Sequence, residues 1–314
     1  MEYYHYLILL GSILLVFLFL LLIILYILKR MFHYRIDKKP DVPLFEAADF
    51  EGLVAKPFSV PRTKKLLLRG FIYSYGPISY EKMIVLSSGM GPGHLQYTSL
   101  IYALAKQGYL VVGFDNRGCN LSDGKAIGLP YEATIDLLLV LKYLKNQPEY
   151  QLTTFYGLGH SLGGYAVLTS LINSHHYFHK VVAISGFDKL SKVASKSPIM
   201  RGLIDLAAFC GYGPRAYHSA SHGIKVSQVP TLFIYGDKDQ NILPVMMPLT
   251  PRKNLTIYQR DGFYHSPYLT AKGQDEINRF FQGTVPFNPP IDFRLASEID
   301  PDIVLMIDSF FNAS

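Results

Sequence analysis

The chain has 314 residues and a formal charge of +6; 49% of it is hydrophobic, 17% charged and 14% aromatic, with no Trp and two Cys. That length holds one large α/β domain or two small ones and excludes a stapled mini-protein, and the apolar content excludes a disordered or collagen-like chain. Cys119 and Cys210 are unclustered, so neither a disulfide framework nor a zinc site is expected, and no metal or cofactor is implied.

The N-terminus carries the apolar bias. Leu7 to Leu28 runs 22 residues without a charge, which as a helix covers roughly 33 Å, about the thickness of a bilayer core. A cleaved signal would carry a basic leader and a small-residue exit. Here no Lys or Arg precedes the run, and it leaves through Leu28-Lys29-Arg30-Met31-Phe32. Residues 1–28 are therefore expected to be a transmembrane anchor. Lys29, Arg30, Arg35, Lys38 and Lys39 all follow the run, which predicts a single-pass protein with the bulk of its chain on the cytoplasmic side. Residues 29–49, with Pro40 and Pro43, read as a basic solvated linker.

From about residue 50 the pattern alternates between short apolar runs and helical ones, as in a mostly parallel sheet with helices on both faces. Leu53 to Ser59 and Lys65 to Tyr73, split at Pro61-Arg62, are expected to be an antiparallel edge pair. Parallel strands are expected at Met83 to Ser87, Tyr109 to Phe114, Thr153 to Leu158, Lys180 to Ser185, Pro230 to Tyr235 and Leu255 to Gln259. Helical recurrence falls on Leu100, Ile101 and Leu104, on Tyr131 to Asn146, and after Ser161. A closing helix with Ile277, Phe280 and Phe281 ends at Gly283. The tail 284–314 holds a Pro-rich stretch, Pro286 to Pro290, and an amphipathic segment with Ile303, Val304, Ile307, Phe310 and Phe311, read as packed on the domain.

The sharpest chemical signal is Gly159-His160-Ser161-Leu162-Gly163-Gly164, a Ser flanked by Gly between a predicted strand and a predicted helix. A turn that tight has no room for side chains two positions either side of Ser161, which is itself pushed out toward substrate. Serine needs a base, normally a His oriented by a carboxylate, and in a strand-turn-helix nucleophile site the partners follow in the order Ser, acid, His. Gly236-Asp237-Lys238-Asp239 comes at a strand's C-terminal end, and His265 is the only His beyond it. The expected triad is Ser161, His265 and an acid for which Asp239 is preferred to Asp237. The N–H groups of Leu162 and of Met90, in Ser88-Gly89-Met90-Gly91, are the expected oxyanion donors. His160 is expected to point away from the triad, His94 to be an exposed loop residue, and His175, His176 and His179 to form a surface turn.

These residues resemble the α/β-hydrolase superfamily of serine hydrolases, closest to membrane-anchored, monoacylglycerol-lipase-like and serine-aminopeptidase-like members. The resemblance spans residues 50–283 and rests on the Gly-His-Ser-Leu-Gly-Gly elbow, on Gly-Phe-Asp115-Asn-Arg-Gly118, and on Asp239 and His265 in family order. It departs at Ser88-Gly89, where the family usually has His-Gly before the oxyanion donor. The resemblance implies a helical lid at about 188–228 and a serine carboxylic ester hydrolase acting on a small ester, acyl or lipid-like molecule. An amidase or aminopeptidase, or a catalytically idle binding protein with this fold, are the alternatives. Nucleic-acid binding is not expected, because much of the positive charge sits beside the anchor.

Overall fold

A computed structural model describes residues 2–38, 44–174, 177–239, 252–281 and 290–313. Lys39, Pro40, Pro43, His175, His176, Gly283 and Pro286, named above, lie outside them. The sheet has eight strands: β1 (Leu53–Thr63), β2 (Leu66–Tyr75), β3 (Lys82–Ser87), β4 (Leu110–Phe114), β5 (Thr154–His160), β6 (Lys180–Ile184), β7 (Thr231–Gly236) and β8 (Leu255–Arg260). Their order is β1-β2-β4-β3-β5-β6-β7-β8, antiparallel only at β1-β2 and β2-β4. The remaining pairs are parallel, which places the C-terminal ends of β3, β5, β6, β7 and β8 along one rim.

The two faces of the sheet are filled alternately. Met83 and Val85 of β3 point into one apolar layer, Ile84 and Leu86 into the other, the arrangement that makes a parallel strand read as an unbroken apolar run. One layer is closed by α3 (Tyr131–Lys145), α4 (Leu162–Ser174) and α7 (Ala220–Val226), through Leu137, Leu141, Val167, Leu171 and Ile224. The other is closed by α2 (Thr98–Ala105), α8 (Ala271–Phe281) and α9 (Pro301–Asn312), through Leu100, Leu104, Ile303, Ile307 and Phe311. Pro61 does not end its strand. β1 is an edge strand, where a missing N–H is tolerated, and it runs on to Thr63 with an irregularity between Pro61 and Thr63.

The tail packs on the domain as expected, whereas the stretch after α1 differs from expectation. The tail is part of the domain: Asp300 caps α9 by accepting from the Asp302 N–H at 2.9 Å, Pro301 starts the helix, and Lys180 Nζ donates to the Phe310 carbonyl at 2.9 Å. Residues 29–38 are not a free tether. Helix α1 runs Glu2–Phe32, and beyond it Ile36 N–H donates to Gly118 O and Asn120 N–H to Ile36 O, both at 2.9 Å, while Ile127 N–H donates to Tyr34 O at 3.0 Å. Arg35 adds side-chain bonds to the carbonyls of Ser122 (2.7 Å) and Gly124 (3.0 Å). A basic residue is spent here on backbone carbonyls, which composition alone does not reveal.

Between β6 and β7 lies a helical insert, α5 (Leu190–Ala194), α6 (Pro198–Tyr212) and α7. Helix α6 starts at Pro198 behind a Ser197 cap and stops at Gly213, whose φ is +80°. Its buried face, Ile204, Ala207 and Ala208, packs with Leu21, Ile24, Leu25, Leu28 and Phe32, so the last turns of α1 and the insert share one apolar cluster. Helix α1 over Tyr3–Phe32 is long and apolar enough to cross a bilayer, and its residues before Leu21 are exposed.

Candidate active site

Ser161 stands at the end of β5 with φ +54°, a left-handed conformation that a non-glycine residue adopts only under constraint. Its N–H donates to Ile184 O at 2.9 Å, and its carbonyl accepts the first bond of α4, from Tyr165 N–H at 3.0 Å. The flanking glycines are required by backbone contacts. A Cβ at Gly159 would lie 2.2 Å from Gly163 O, and one at Gly163 would lie 1.8 Å from Ser87 O. The first turn of α4 is therefore pressed onto the end of β3, bringing Leu162 beside the loop that carries Met90.

Leu162 N–H precedes the first α4 hydrogen bond and is one of the unpaired donors that every helix N-terminus offers. Across from it, Gly89 N–H is already engaged, donating to the Tyr97 hydroxyl at 2.9 Å. Met90 is next along the chain, with a half-exposed side chain. The two expected oxyanion donors thus come from neighbouring strands, β3 and β5.

Asp239 and His265 meet. His265 Nδ1 lies 2.7 Å from Asp239 Oδ2, the carboxylate being buried and the imidazole half-exposed. Asp237 is occupied elsewhere, its Oδ1 accepting the Gly262 N–H at 2.6 Å and closing the turn after β8. An ionised carboxylate only accepts, so Nδ1 carries the proton and Nε2 is the basic nitrogen.

Two histidines are placed differently from expectation. His94 is fully buried: its Nδ1 and its backbone N–H donate to Asp115 Oδ1 at 2.6 and 2.8 Å, and its Nε2 is 3.0 Å from the Tyr73 hydroxyl. Asp115 also accepts the Leu121 N–H at 2.9 Å, so it fastens the turn after β3 to the loop after β4. Gly93, at φ +86°, is where a Cβ would fall 1.9 Å from that carboxylate, the one sequence sign that this His turns inward. His160 does not point away from the triad. Its ring centre is 4.9 Å from that of His265, and burial together with the neighbouring His265 lowers its pKa to about 3.

No group of three or more metal-ligating side chains occurs among the described residues. A narrow crevice one helical turn from Ser161 is lined by Tyr165, Tyr131, Leu129, Leu190, Ile204 and Asp205, beneath α6. The acids of the insert are paired there: Asp205 with Lys189 at 3.2 Å, and Asp188 with Lys192 and with the Ser221 N–H at 2.8 Å.

A strained Ser between tight glycines after the fifth strand, with a His-paired carboxylate after the seventh and that His after the eighth, has the geometry expected of a nucleophile elbow and its partners. The chain has the α/β-hydrolase fold. Residues 79–210 match the family model for serine aminopeptidase, S33. Among solved structures, an esterase from Pyrococcus furiosus is similar with a TM-score of 0.57 and 18% identity, over 80% of this chain and 97% of that one. Est1E from Butyrivibrio proteoclasticus, solved with ferulic acid bound, gives 0.52 and 15% over 66% and 90%. An α/β hydrolase from Penicillium gives 0.50 and 14% over 73% and 97%. No curated protein sequence matches the chain.

Proposed function

We propose that the protein is a membrane-anchored serine hydrolase that cleaves a carboxylic ester through an acyl-enzyme on Ser161. The observation that carries this reading is the His265 Nδ1 to Asp239 Oδ2 contact of 2.7 Å at the rim that holds the strained Ser161. Ser161 Oγ attacks the ester carbonyl and its proton passes to His265 Nε2, while Asp239 holds the imidazole in the tautomer that leaves Nε2 basic. The oxyanion is received by the Leu162 and Met90 N–H groups. Collapse expels the alcohol, which takes the proton from His265, and water then repeats the sequence on the acyl group.

The insert that shares an apolar cluster with α1, a helix of membrane-spanning length, supports a lipid-like acyl group and a lid role for residues 188–228. The length of α1 and the cations after it support a membrane span with the domain on the cytoplasmic side. A second reading, an amidase or aminopeptidase, is favoured by the family model that matches residues 79–210. Against it, an aminopeptidase needs an unpaired acid for the substrate ammonium, and Asp188 and Asp205 are both neutralised by lysines.

The test is hydrolysis by the full chain, in detergent, of p-nitrophenyl esters from acetyl to palmitoyl beside aminoacyl p-nitroanilides, with Ser161→Ala as control. The proposal expects ester cleavage that rises with chain length and disappears in the variant. Faster cleavage of the anilides selects the aminopeptidase reading, and a folded chain inert to both selects the idle binding protein.

A further inference from the structure

His160 and Tyr97 lie in a buried chain of three hydrogen bonds. Gly89 N–H to Tyr97 oxygen is 2.9 Å, Tyr97 oxygen to His160 Nδ1 is 2.8 Å, and His160 Nε2 to the His265 carbonyl is 2.8 Å. A carbonyl can only accept, so Nε2 bears the proton, Nδ1 is the acceptor, and the Tyr97 hydroxyl donates to it while accepting from Gly89. Every direction in the chain is thereby fixed. The tautomer agrees with an imidazole that burial and His265 keep neutral. Tyr268 packs edge-on to the His160 ring at 5.0 Å and closes the side of the chain.

This chain joins segments that the sheet keeps apart. β3 and β8 are separated by β5, β6 and β7, roughly 19 Å at the usual strand spacing, so the turn after β8 must reach back across two strands to bring His265 to the elbow. Its other bonds, Lys238 N–H to Phe263 O at 2.8 Å, Gly262 to Asp237, and Tyr264 N–H to Gln274 at 2.6 Å, hold it to the β7 turn and to α8. Among the described residues, the His160 bond is the hydrogen bond that ties it to the elbow itself.

We propose that Tyr97 and His160 are positioning residues that set the proton shuttle, His265, and the second oxyanion donor, Met90 N–H, in register with Ser161. The proposal rests on the reading of Ser161, His265 and Met90 given above. It assigns the residue immediately before the nucleophile a role in geometry rather than in proton transfer. Each end of the chain is separately addressable. In His160→Gln the amide sits where Nε2 was and still donates to the His265 carbonyl, but Tyr97 loses its acceptor. In His160→Asn the amide oxygen still accepts from Tyr97, but the bond to His265 is gone. Tyr97→Phe releases the Gly89 side alone.

The experiment is the rate constant for fluorophosphonate labelling of the full chain in detergent, with kcat and KM on a p-nitrophenyl ester, all normalised to the fraction folded by circular dichroism. Tyr97→Phe and His160→Asn are each expected to lower the labelling rate and kcat tenfold to a hundredfold. KM should stay within about twofold, because substrate binding is not what the chain holds. His160→Gln is expected to retain more of the rate than His160→Asn. Folded Tyr97→Phe and His160→Asn proteins that label at the wild-type rate overturn the positioning roles while leaving Ser161 as the nucleophile, and variants that only melt earlier do the same. Labelling that survives Ser161→Ala, or a folded wild type that takes no label, overturns the underlying reading as well.

Discussion

Gly163 in the elbow and Gly211 in the insert both sit where a Cβ would collide, yet the two collisions differ in kind. At Gly163 the obstacle is the Ser87 carbonyl at 1.8 Å, fixed by the β3-β5 pairing; at Gly211 it is the Leu25 Cδ1 at 2.4 Å, the end of a side chain that can rotate away. The elbow is thus defined by backbone against backbone, and the seam between α1 and α6 by apolar side chains that adapt. The first kind of contact positions chemistry to tenths of an ångström; the second holds a roof and an anchor together and tolerates change.

The largest effect should come from the polar side of the elbow. Asp239→Asn is expected to lower kcat about ten-thousandfold, since the amide favours the wrong His265 tautomer, whereas Asp237→Asn, which keeps an acceptor for Gly262 N–H, stays near wild type. Steady-state ester hydrolysis by the two variants measures the contrast. Gly163→Ala should come next, forcing α4 off β3 and costing a hundredfold or more in rate, measured the same way. In the seam, Leu28→Ala removes a buried side chain and should cost about 2 to 3 kcal/mol in unfolding free energy, read by denaturant titration, with the rate per folded molecule retained.

A smaller effect concerns acid. His160 in the unfolded chain takes its proton at the ordinary pKa of 6.5 and in the folded protein only near 3. The unfolded state therefore binds more protons between those values, and this group's contribution to stability, full above pH 6.5, is lost as the pH falls. Its slope is at most about 1.4 kcal/mol per pH unit. Unfolding midpoints of His160→Gln should fall less steeply than those of the wild type from pH 6.5 to the onset of carboxylate titration. The smallest effect belongs to Gly211→Ala, within about 0.5 kcal/mol of wild type by the same titration. A loss of rate per folded Gly211→Ala molecule as large as that of Gly163→Ala would erase the distinction between the two contacts.

The same distinction explains what could be read from the sequence. The parallel strands were legible because both their faces are covered, and the elbow because only Gly fits where backbone meets backbone. The order Ser, acid, His admits Asp237 and Asp239 alike; the 2.7 Å contact of Asp239 with His265 depends on how the turn after β8 folds back. His94 and His160 turn inward against expectation because a buried, fully bonded His has no periodicity to mark it. Arg35 looked like a topology signal and is also a clamp on the 118–124 loop. The insert packs against α1 through ordinary Leu, Ile and Ala residues, whose partners no spacing rule identifies.

The most direct test of the account is to map where a fluorophosphonate attaches to the full chain, by digestion and peptide mass spectrometry. A single adduct on Ser161, absent from Ser161→Ala and slow to form in Asp239→Asn, is the predicted result. An adduct on another residue, or an unmodified folded protein, would contradict the assignment of Ser161 as the nucleophile.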